Sequence, residues 1–281
     1  MELALQRKNA KWLLSLLAML MALVCAAGIL SAAAAVFPEA SGKKTLKGKK
    51  VTVDISNISQ GYFMVKHAGT KKKLKMILYF GKEKLEQYDM DGNGDYNVFP
   101  LIRGSGTYKM EVYENSSGKS YAKIFSDSFK VTMDNPNAAF IVPNRLVNYK
   151  ASSQAVAKSV ELCQGLKTDD DKVSAVWDYL AKSMVYDYIK AATVKSGYVP
   201  DVDQTLSQKR GICFDYSSLF ATMLRVQGIP TKLVVGYLNV AGNAQYHAWN
   251  NVFLNGKWVH KDATFAQQSY AEKNYSISYI D

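Results

Sequence analysis

Three residues whose types act together in nucleophilic catalysis occur in order along the second half of the chain. Cys213 follows Arg-Gly-Ile, His247 stands in Tyr-His-Ala-Trp-Asn, and Asp262 ends Trp-Val-His-Lys-Asp. A thiol serves as a nucleophile, an imidazole as a general base, and a carboxylate orients the imidazole. The sequence therefore predicts a Cys–His–Asp relay, provided that the fold brings the three side chains together.

The cysteine is expected at the start of a helix. An apolar run from Cys213 to Val226 is followed by Gly228 and Pro230, which are typical helix-ending signals. Free backbone N–H groups and the dipole at a helix N-terminus favour an anion. We therefore expect the thiolate form of Cys213 to be stabilised at this position.

A predicted hairpin places the other two residues. Asn255-Gly256 is a strong signal for a two-residue turn between two strands. Pairs counted outward from that turn put Asp262 opposite Trp249 and one diagonal from His247, on the same face. His260 lies one step further from His247 in this register. The count therefore selects Asp262 as the partner of His247.

Four segments differ in composition and pattern. Residues 1–35 combine a basic start, a long apolar run and small residues, which is typical of a secretory signal peptide or a membrane anchor. Residues 36–50 form a basic linker, 51–134 contain short β-branched and aromatic runs, and 135–281 mix helical and strand patterns. We expect a secreted or surface-attached protein with two folded domains.

These patterns predict fold class α+β. Residues 51–134 indicate a small β-sandwich, immunoglobulin-like in outline but without a Cys–Trp–Cys pattern. Thr168 and Asp171 form a predicted capping box before an apolar helical stripe. Four strand-like runs then predict an antiparallel sheet beside the helices: 231–239, 245–253, 257–265 and 274–280.

Two cysteines follow the leading segment, Cys163 and Cys213. Cys163 shares helical spacing with Val156 and Val160, which predicts one buried helix face. A disulfide between the two cysteines would consume the candidate nucleophile. We therefore expect two free thiols.

The formal charge of +11 is uneven along the chain. Residues 36–135 carry 17 basic and 11 acidic side chains, a net +6, whereas residues 136–281 carry 15 and 12, a net +3. The basic N-terminal part, residues 36–135, favours contact with an anionic surface such as a cell wall or a lipid face. The alternative is that its lysines form an ordinary solvated surface. No nucleic-acid motif occurs, so no nucleic-acid partner is expected. Membrane contact is expected only through an uncleaved N-terminal segment.

No metal or cofactor is expected. Residues 89–95 match the first half of a calcium loop, but Pro100 stands where a bidentate glutamate is needed. A Gly-rich hairpin turn explains this segment better. Three histidines and two mature cysteines are too few to favour a zinc site.

At its chemical motifs the chain resembles the transglutaminase-like superfamily, which shares its core with papain-like thiol enzymes. The resemblance covers about residues 140–281 and is specific as an ordered set of motifs. The β region carries no family signature. The matching pieces are Asp171-Lys-Val-Ser-Ala-Val-Trp177, Met184-Val-Tyr186-Asp187, Gly211-Ile-Cys213-Phe-Asp215, Gly228-Ile-Pro230, Val234-Val-Gly-Tyr237, Tyr246-His247-Ala-Trp249 and Trp258-Val-His-Lys-Asp262.

This resemblance implies roles for the three residues. Cys213 is the implied nucleophile, His247 the general base and acid, and Asp262 the orienting carboxylate. The implied reaction is attack on a glutamine carboxamide or a peptide carbonyl to give a thioester. Hydrolysis or transfer to an amine then resolves the thioester, as in a thiol protease or an acyltransferase.

The second oxyanion donor stays open at this point. The Cys213 N–H is one expected donor, and either Gln208 or Tyr186 is a candidate for the other. Trp249 is expected to line the acyl site or simply to pack against it. The alternative to an enzyme is a non-catalytic surface protein that binds through a basic β-sandwich and keeps the second domain as a scaffold.

Overall fold

The computed structural model describes residues 35–265 and 272–281. The predicted signal or anchor segment therefore lies outside the described residues, apart from Ala35. Within the described ranges, no helix is long and apolar enough to cross a membrane.

An all-β region comes first along the described chain. Its strands are β1 Thr45–Lys47, β2 Val51–Asp54, β3 Tyr62–His67, β4 Leu74–Phe80, β5 Glu83–Met90, β6 Asn97–Pro100, β7 Gly106–Ser117 and β8 Ser120–Val131. They form two four-stranded sheets with the orders β1-β2-β3-β6 and β5-β4-β7-β8. Side chains from both sheets, among them Phe63, Met76 and Tyr108, share one apolar core. The sheets thus pack as a sandwich, and the immunoglobulin-like outline stays a prediction.

Two sequence predictions for this region were wrong in detail. Residues 45–47 of the predicted linker form the edge strand β1, which pairs with β2. Lysine-rich segments suit sheet edges, because charged side chains discourage further strand pairing. Residues 91–96 connect β5 to β6, which lie in different sheets, so this segment is a crossover and not a hairpin turn.

Helices dominate the next part of the chain. They are α1 Gln154–Cys163, α2 Asp169–Ser183, α3 Tyr188–Thr193, α4 Val202–Gln208 and α5 Cys213–Val226. The Thr168 hydroxyl accepts the Asp171 N–H at the start of α2, as the capping pattern predicted. α5 has the predicted bounds, and Cys163 is buried. Val160 is 56% exposed, because the buried face of α1 runs through Ser159 instead.

An antiparallel sheet completes the second region. Its strands are β11 Thr231–Val240, β12 Asn243–Leu254, β13 Lys257–Lys261 and β14 Tyr275–Ile280. They pair in the order β13-β12-β11-β14. A short parallel pair, β9 Val185–Tyr186 and β10 Arg210–Gly211, lies outside this sheet. Helices that pack on an antiparallel sheet confirm the predicted α+β class.

The predicted hairpin forms between β12 and β13. Asn255 and Gly256 both have positive φ, 51° and 80°, as a type I′ turn requires. Pairing runs in the predicted register from Leu254–Lys257 to Asn250–Lys261. The chain then leaves the strand, and residues 263–265 form a 3₁₀ turn. The strand predicted over 257–265 was therefore too long.

α5 lies in the core of the second region, where its apolar side chains pack against the other helices and the sheet. All its residues from Asp215 to Val226 are buried. Residues 35–281 group into one compact unit. The predicted boundary between residues 134 and 135 stays a prediction.

Candidate active site

Cys213 is the first residue of α5, and its side chain is partly exposed. The neighbouring turn is fixed by Asp215, which is fully buried and accepts the Ile212 N–H at 2.8 Å. A Cβ on Gly211 would lie 2.5 Å from the Asp215 Cβ, so only glycine fits there. The sequence before the cysteine therefore fixes the thiol at a capped helix start. Cys163 and Cys213 are both free, as predicted.

His247 and Asp262 form a buried pair. Nε2 of His247 lies 2.7 Å from Oδ2 of Asp262, and the two residues are 5% and 6% exposed. Burial disfavours the imidazolium, but hydrogen bonds with Asp262 and Cys213 outweigh it and raise the pKa of His247 to about 9. The imidazole is therefore protonated at neutral pH, and it lies beside the thiol.

The register of the β12–β13 hairpin brings His247 and Asp262 together, although Asp262 itself stands just beyond the last residue pair of the two strands. Its other oxygen, Oδ1, accepts the Thr264 N–H at 3.1 Å. Each oxygen of the Asp262 carboxylate thus has its own partner: Oδ1 accepts from the following turn, and Oδ2 contacts His247. The structure brings together the three residues that the sequence selected.

Tyr275 is a further neighbour that the sequence did not reveal. Its hydroxyl donates to Asp262 Oδ2 at 2.9 Å, on the oxygen that faces His247. Its ring centroid lies 5.0 Å from that of Trp249 and 4.3 Å from that of His260. Trp249 is 1% exposed, so the packing alternative describes it better than lining of the acyl site.

Gly236 allows β14 to approach this cluster. It pairs with His247 across the sheet, and a Cβ there would lie 1.9 Å from the Ser276 carbonyl oxygen. The same Cβ would lie 2.9 Å from Trp249. A side chain at this position would therefore displace the strand that carries Tyr275.

Tyr186 is the oxyanion candidate that the fold brings to the thiol. Parallel pairing of β9 with β10 places it opposite Gly211, two residues before Cys213. Burial and the Cys213 thiolate raise its pKa to about 12, and its hydroxyl meets the Cys213 backbone N–H. Gln208, the other candidate, has an exposed side chain at the end of α4. The geometry favours Tyr186, whose role stays a prediction.

A cleft of about 510 Å³ opens beside Cys213 and His247. The segment 194–198 borders one side of it, and residues 246–248 of β12 border the other. Among the described residues, no three His, Cys, Asp or Glu side chains converge as ligands for a metal ion. The cleft is thus lined by a thiol and an imidazole, the two groups that nucleophilic attack on a carbonyl needs.

Comparison with known proteins finds a family match in the second region. Residues 156–263 match the family model described as the transglutaminase-like superfamily. Kyphoscoliosis peptidase from Homo sapiens is 31% identical over 128 residues, which cover 41% of this chain and 19% of the human protein. The Mus musculus protein of the same name is 30% identical over 129 residues, with the same coverage. The match thus spans about a fifth of these relatives.

Solved structures with a similar fold include a candidate cysteine protease from Cytophaga hutchinsonii, with 15% identity and a TM-score of 0.45. That match covers 78% of this chain and 75% of the other. The periplasmic domain of TgpA from Pseudomonas aeruginosa is 17% identical with a TM-score of 0.36, over 75% of this chain and 94% of its own. The residues that match the transglutaminase-like family model, 156–263, include Cys213, His247 and Asp262.

Proposed function

We propose that this chain is a cysteine enzyme that attacks carboxamide or peptide carbonyl groups and forms a thioester. The observation that carries the proposal is the contact of His247 with both Asp262 and Cys213, which raises the pKa of His247 to about 9. An imidazolium beside a thiol at a helix start stabilises the thiolate, which is the reactive form. The pair supplies the nucleophile and the proton that acyl transfer needs.

The reaction has two halves. The Cys213 sulfur attacks the carbonyl carbon, the C–N bond breaks, and His247 gives its proton to the departing amine or ammonia. Water or a primary amine then attacks the thioester carbonyl and passes a proton to His247. The C–S bond breaks, and Cys213 leaves as the thiolate. The proposed oxyanion donors in both halves are the Cys213 N–H and the Tyr186 hydroxyl, a proposal supported by the contact between these two groups.

The substrate is proposed to be a protein or peptide outside the cytoplasm. The curated relatives are named peptidases, which favours peptide-bond hydrolysis as one outcome. The superfamily match favours transfer to an amine as the other. The basic start and apolar run of residues 1–35 support export to the cell surface or beyond.

Thiol labelling with product analysis tests the proposal. The full chain is treated with an alkylating probe across pH 5–8, and the labelled peptide is identified by mass spectrometry. We expect Cys213 to react much faster near neutral pH than a free thiol such as glutathione. Cys163 is the matched internal control, because it is free but buried.

The same preparations receive a fluorescent amine and a glutamine-rich protein. Amine incorporation that disappears in Cys213→Ala and persists in Cys163→Ala identifies transfer, whereas cleavage with the same dependence identifies hydrolysis. Ordinary thiol reactivity at Cys213, together with no product of either kind, would overturn the proposal.

A non-catalytic surface protein is the second candidate. It is favoured by the net charge of +6 on residues 36–135, which suits a cell-wall polymer or another anionic surface. Salt-sensitive retention on such a polymer, without turnover in the assays above, is the result that this candidate predicts.

A further inference from the structure

Exposed apolar side chains of this chain gather near the cleft. Most of the large hydrophobic side chains that are well exposed among the described residues fall in two groups. Val185, Tyr188, Ile189 and Val194 lie in the segment that contains Tyr186, and Tyr237 and Tyr246 form a cross-strand pair on β11 and β12, beside His247. Single exposed hydrophobic residues are common on soluble proteins, but a cluster beside a reactive group marks a binding surface. One residue of each group, Val194 and Tyr246, lines the cleft with Cys213.

One side is formed by the paired strands β11 and β12, and β12 carries His247. Tyr246 directly precedes His247, lines the cleft and is 69% exposed. Its ring packs edge-to-face on that of Tyr237, with centroids 5.6 Å apart. Tyr237 is 45% exposed. The two rings form a rigid aromatic surface next to the imidazole.

The other side is formed by the segment that contains α3. Tyr188 is 78% exposed, and its ring centroid lies 5.0 Å from that of Tyr186, whose hydroxyl meets Cys213. Ile189 beside it is 75% exposed. Val194 follows α3 and lines the cleft itself. Val194 is therefore the exposed apolar residue that this segment contributes to the cleft.

This second side is anchored to the catalytic helix. The buried carboxylate of Asp215 accepts hydrogen bonds from the Lys190 ammonium, at 2.7 Å, and from the Tyr198 hydroxyl. These two bonds hold both ends of the segment against the start of α5. Val194, which lies between them, is thus held in place before a ligand binds, which lowers the entropic cost of binding.

The charge of the cleft narrows the class of ligand. No aspartate or glutamate is among the described residues that line it, and Lys195 stands on its rim. A basic side chain would therefore meet only like charge there. A neutral apolar side chain would bury its surface against the aromatic residues.

We propose that the acyl-donor substrate is a peptide segment with an aromatic or branched aliphatic side chain next to the reacting carbonyl. Tyr246 would contact it from β12, with Tyr237 packed behind, and Val194 would contact it from the segment after α3. This inference rests on the proposed acyl-transfer function, because it names the substrate class of that same site.

Three peptides that differ only beside one glutamine test the inference. The flanking residue is leucine, serine or lysine, and kcat/KM is measured with the full chain for hydrolysis and amine transfer. Burial of a leucine side chain predicts a preference of about tenfold or more over serine. The lysine peptide should be the poorest substrate.

Substitutions at the rim locate the preference. Tyr246→Ser and Val194→Ser should raise KM for the leucine peptide about three- to tenfold and raise KM for the serine peptide less, so that the preference for leucine shrinks. Val160→Ser is the matched control, because Val160 is 56% exposed on α1 and does not line the cleft. All three substituted side chains are exposed, so folding is expected to survive.

Binding is measured in parallel with Cys213→Ala and fluorescent forms of the same peptides. Equal kcat/KM or equal affinity for the leucine and serine peptides would overturn the inference, while turnover of all of them would leave the proposed function intact. A binding preference for the leucine peptide without turnover by the wild type would support the inference and count against the proposed function.

Discussion

Two buried carboxylates in different regions of the molecule have different kinds of partner. Glu111, on β7 of the sandwich, has a side chain that is 5% exposed, and its partners Lys109 and Lys123 are 43% and 49% exposed. Asp262 is 6% exposed and pairs with His247, which is equally buried. The carboxylates resemble each other in burial, so burial alone does not distinguish a structural acid from a catalytic one.

The partners make the difference. Hydrogen bonds from Lys109 and Tyr113 lower the pKa of Glu111 to about 2, and its partners among the described residues are ammonium and phenol groups, with no thiol. The partner of Asp262 is an imidazole, which can gain or lose a proton and which contacts a thiol. A buried carboxylate thus becomes useful for catalysis when its partner both titrates and touches a reactive atom.

Asp262→Asn should have the largest effect on activity, because it removes the carboxylate partner of His247. The amide keeps the shape but cannot stabilise an imidazolium, so we expect kcat/KM to fall by about 10²- to 10⁴-fold. In the wild type, acylation should decline as the pH rises through about 9, where His247 loses the proton that the leaving group needs.

The variant lacks the bond that raises this pKa, so its alkaline limb should move to lower pH. A pH–rate profile of the acylation step shows the shift directly. Asp178→Asn, which changes an exposed aspartate on α2, is the control and should leave both rate and profile unchanged. An alkaline limb that stays in place in Asp262→Asn would contradict the assigned role.

Tyr275→Phe tests whether the second donor to Asp262 positions the pair. We expect kcat to fall about three- to tenfold with KM unchanged, because the ring still packs on Trp249 while the bond to Oδ2 is lost. Tyr113→Phe is the matched control in the sandwich, where the same hydroxyl–carboxylate bond is made to Glu111.

Kinetics and thermal unfolding of both variants separate the two roles. A purely structural tyrosine would lower the unfolding temperature without changing kcat, as expected for Tyr113→Phe. Equal kcat in the two variants would show that Tyr275 does not position the catalytic pair.

Local patterns explain why the sequence located most of the site. The register of His247 and Asp262 depends on a two-residue turn, and each pair can be counted from Asn255-Gly256. The bounds of α5 depend on an apolar run and the Gly–Pro signals after it. Both features are encoded within about 20 neighbouring residues, so little tertiary context is needed to read them.

Distant pairings explain what the sequence did not reveal. The contact of Tyr275 with Asp262 depends on the pairing of β14 with β11. No tight turn connects these two strands, so their register cannot be counted from the sequence. Tyr186 reaches Cys213 through a two-residue parallel pair that is distant in sequence. Such contacts are decided by packing of the whole domain.

The sandwich shows the same limit. β5 has an exposed face with charged residues such as Glu83 and Lys84, so its mean hydropathy is too low for recognition as a strand. It lies at the edge of its sheet, where one side of the strand has no neighbour. A search for apolar runs finds the central strands of a sandwich and misses its edges.

Glu111→Gln should have the smallest effect on activity and so completes the comparison. We expect unchanged kcat/KM and a loss of stability on the order of 1 kcal/mol, because the half-exposed lysines are screened by solvent. The pKa of Glu111 is lowered from 4.5 to about 2, so its contribution is fully present above 4.5 and is lost as the pH falls through about 2. The difference in unfolding free energy between variant and wild type should therefore shrink from pH 7 to pH 2.5 in urea titrations. Glu161→Gln, at the exposed Lys158–Glu161 pair on α1, is the control and should leave the unfolding free energy unchanged at both pH values. A loss of activity in Glu111→Gln would contradict the distinction between the two carboxylates.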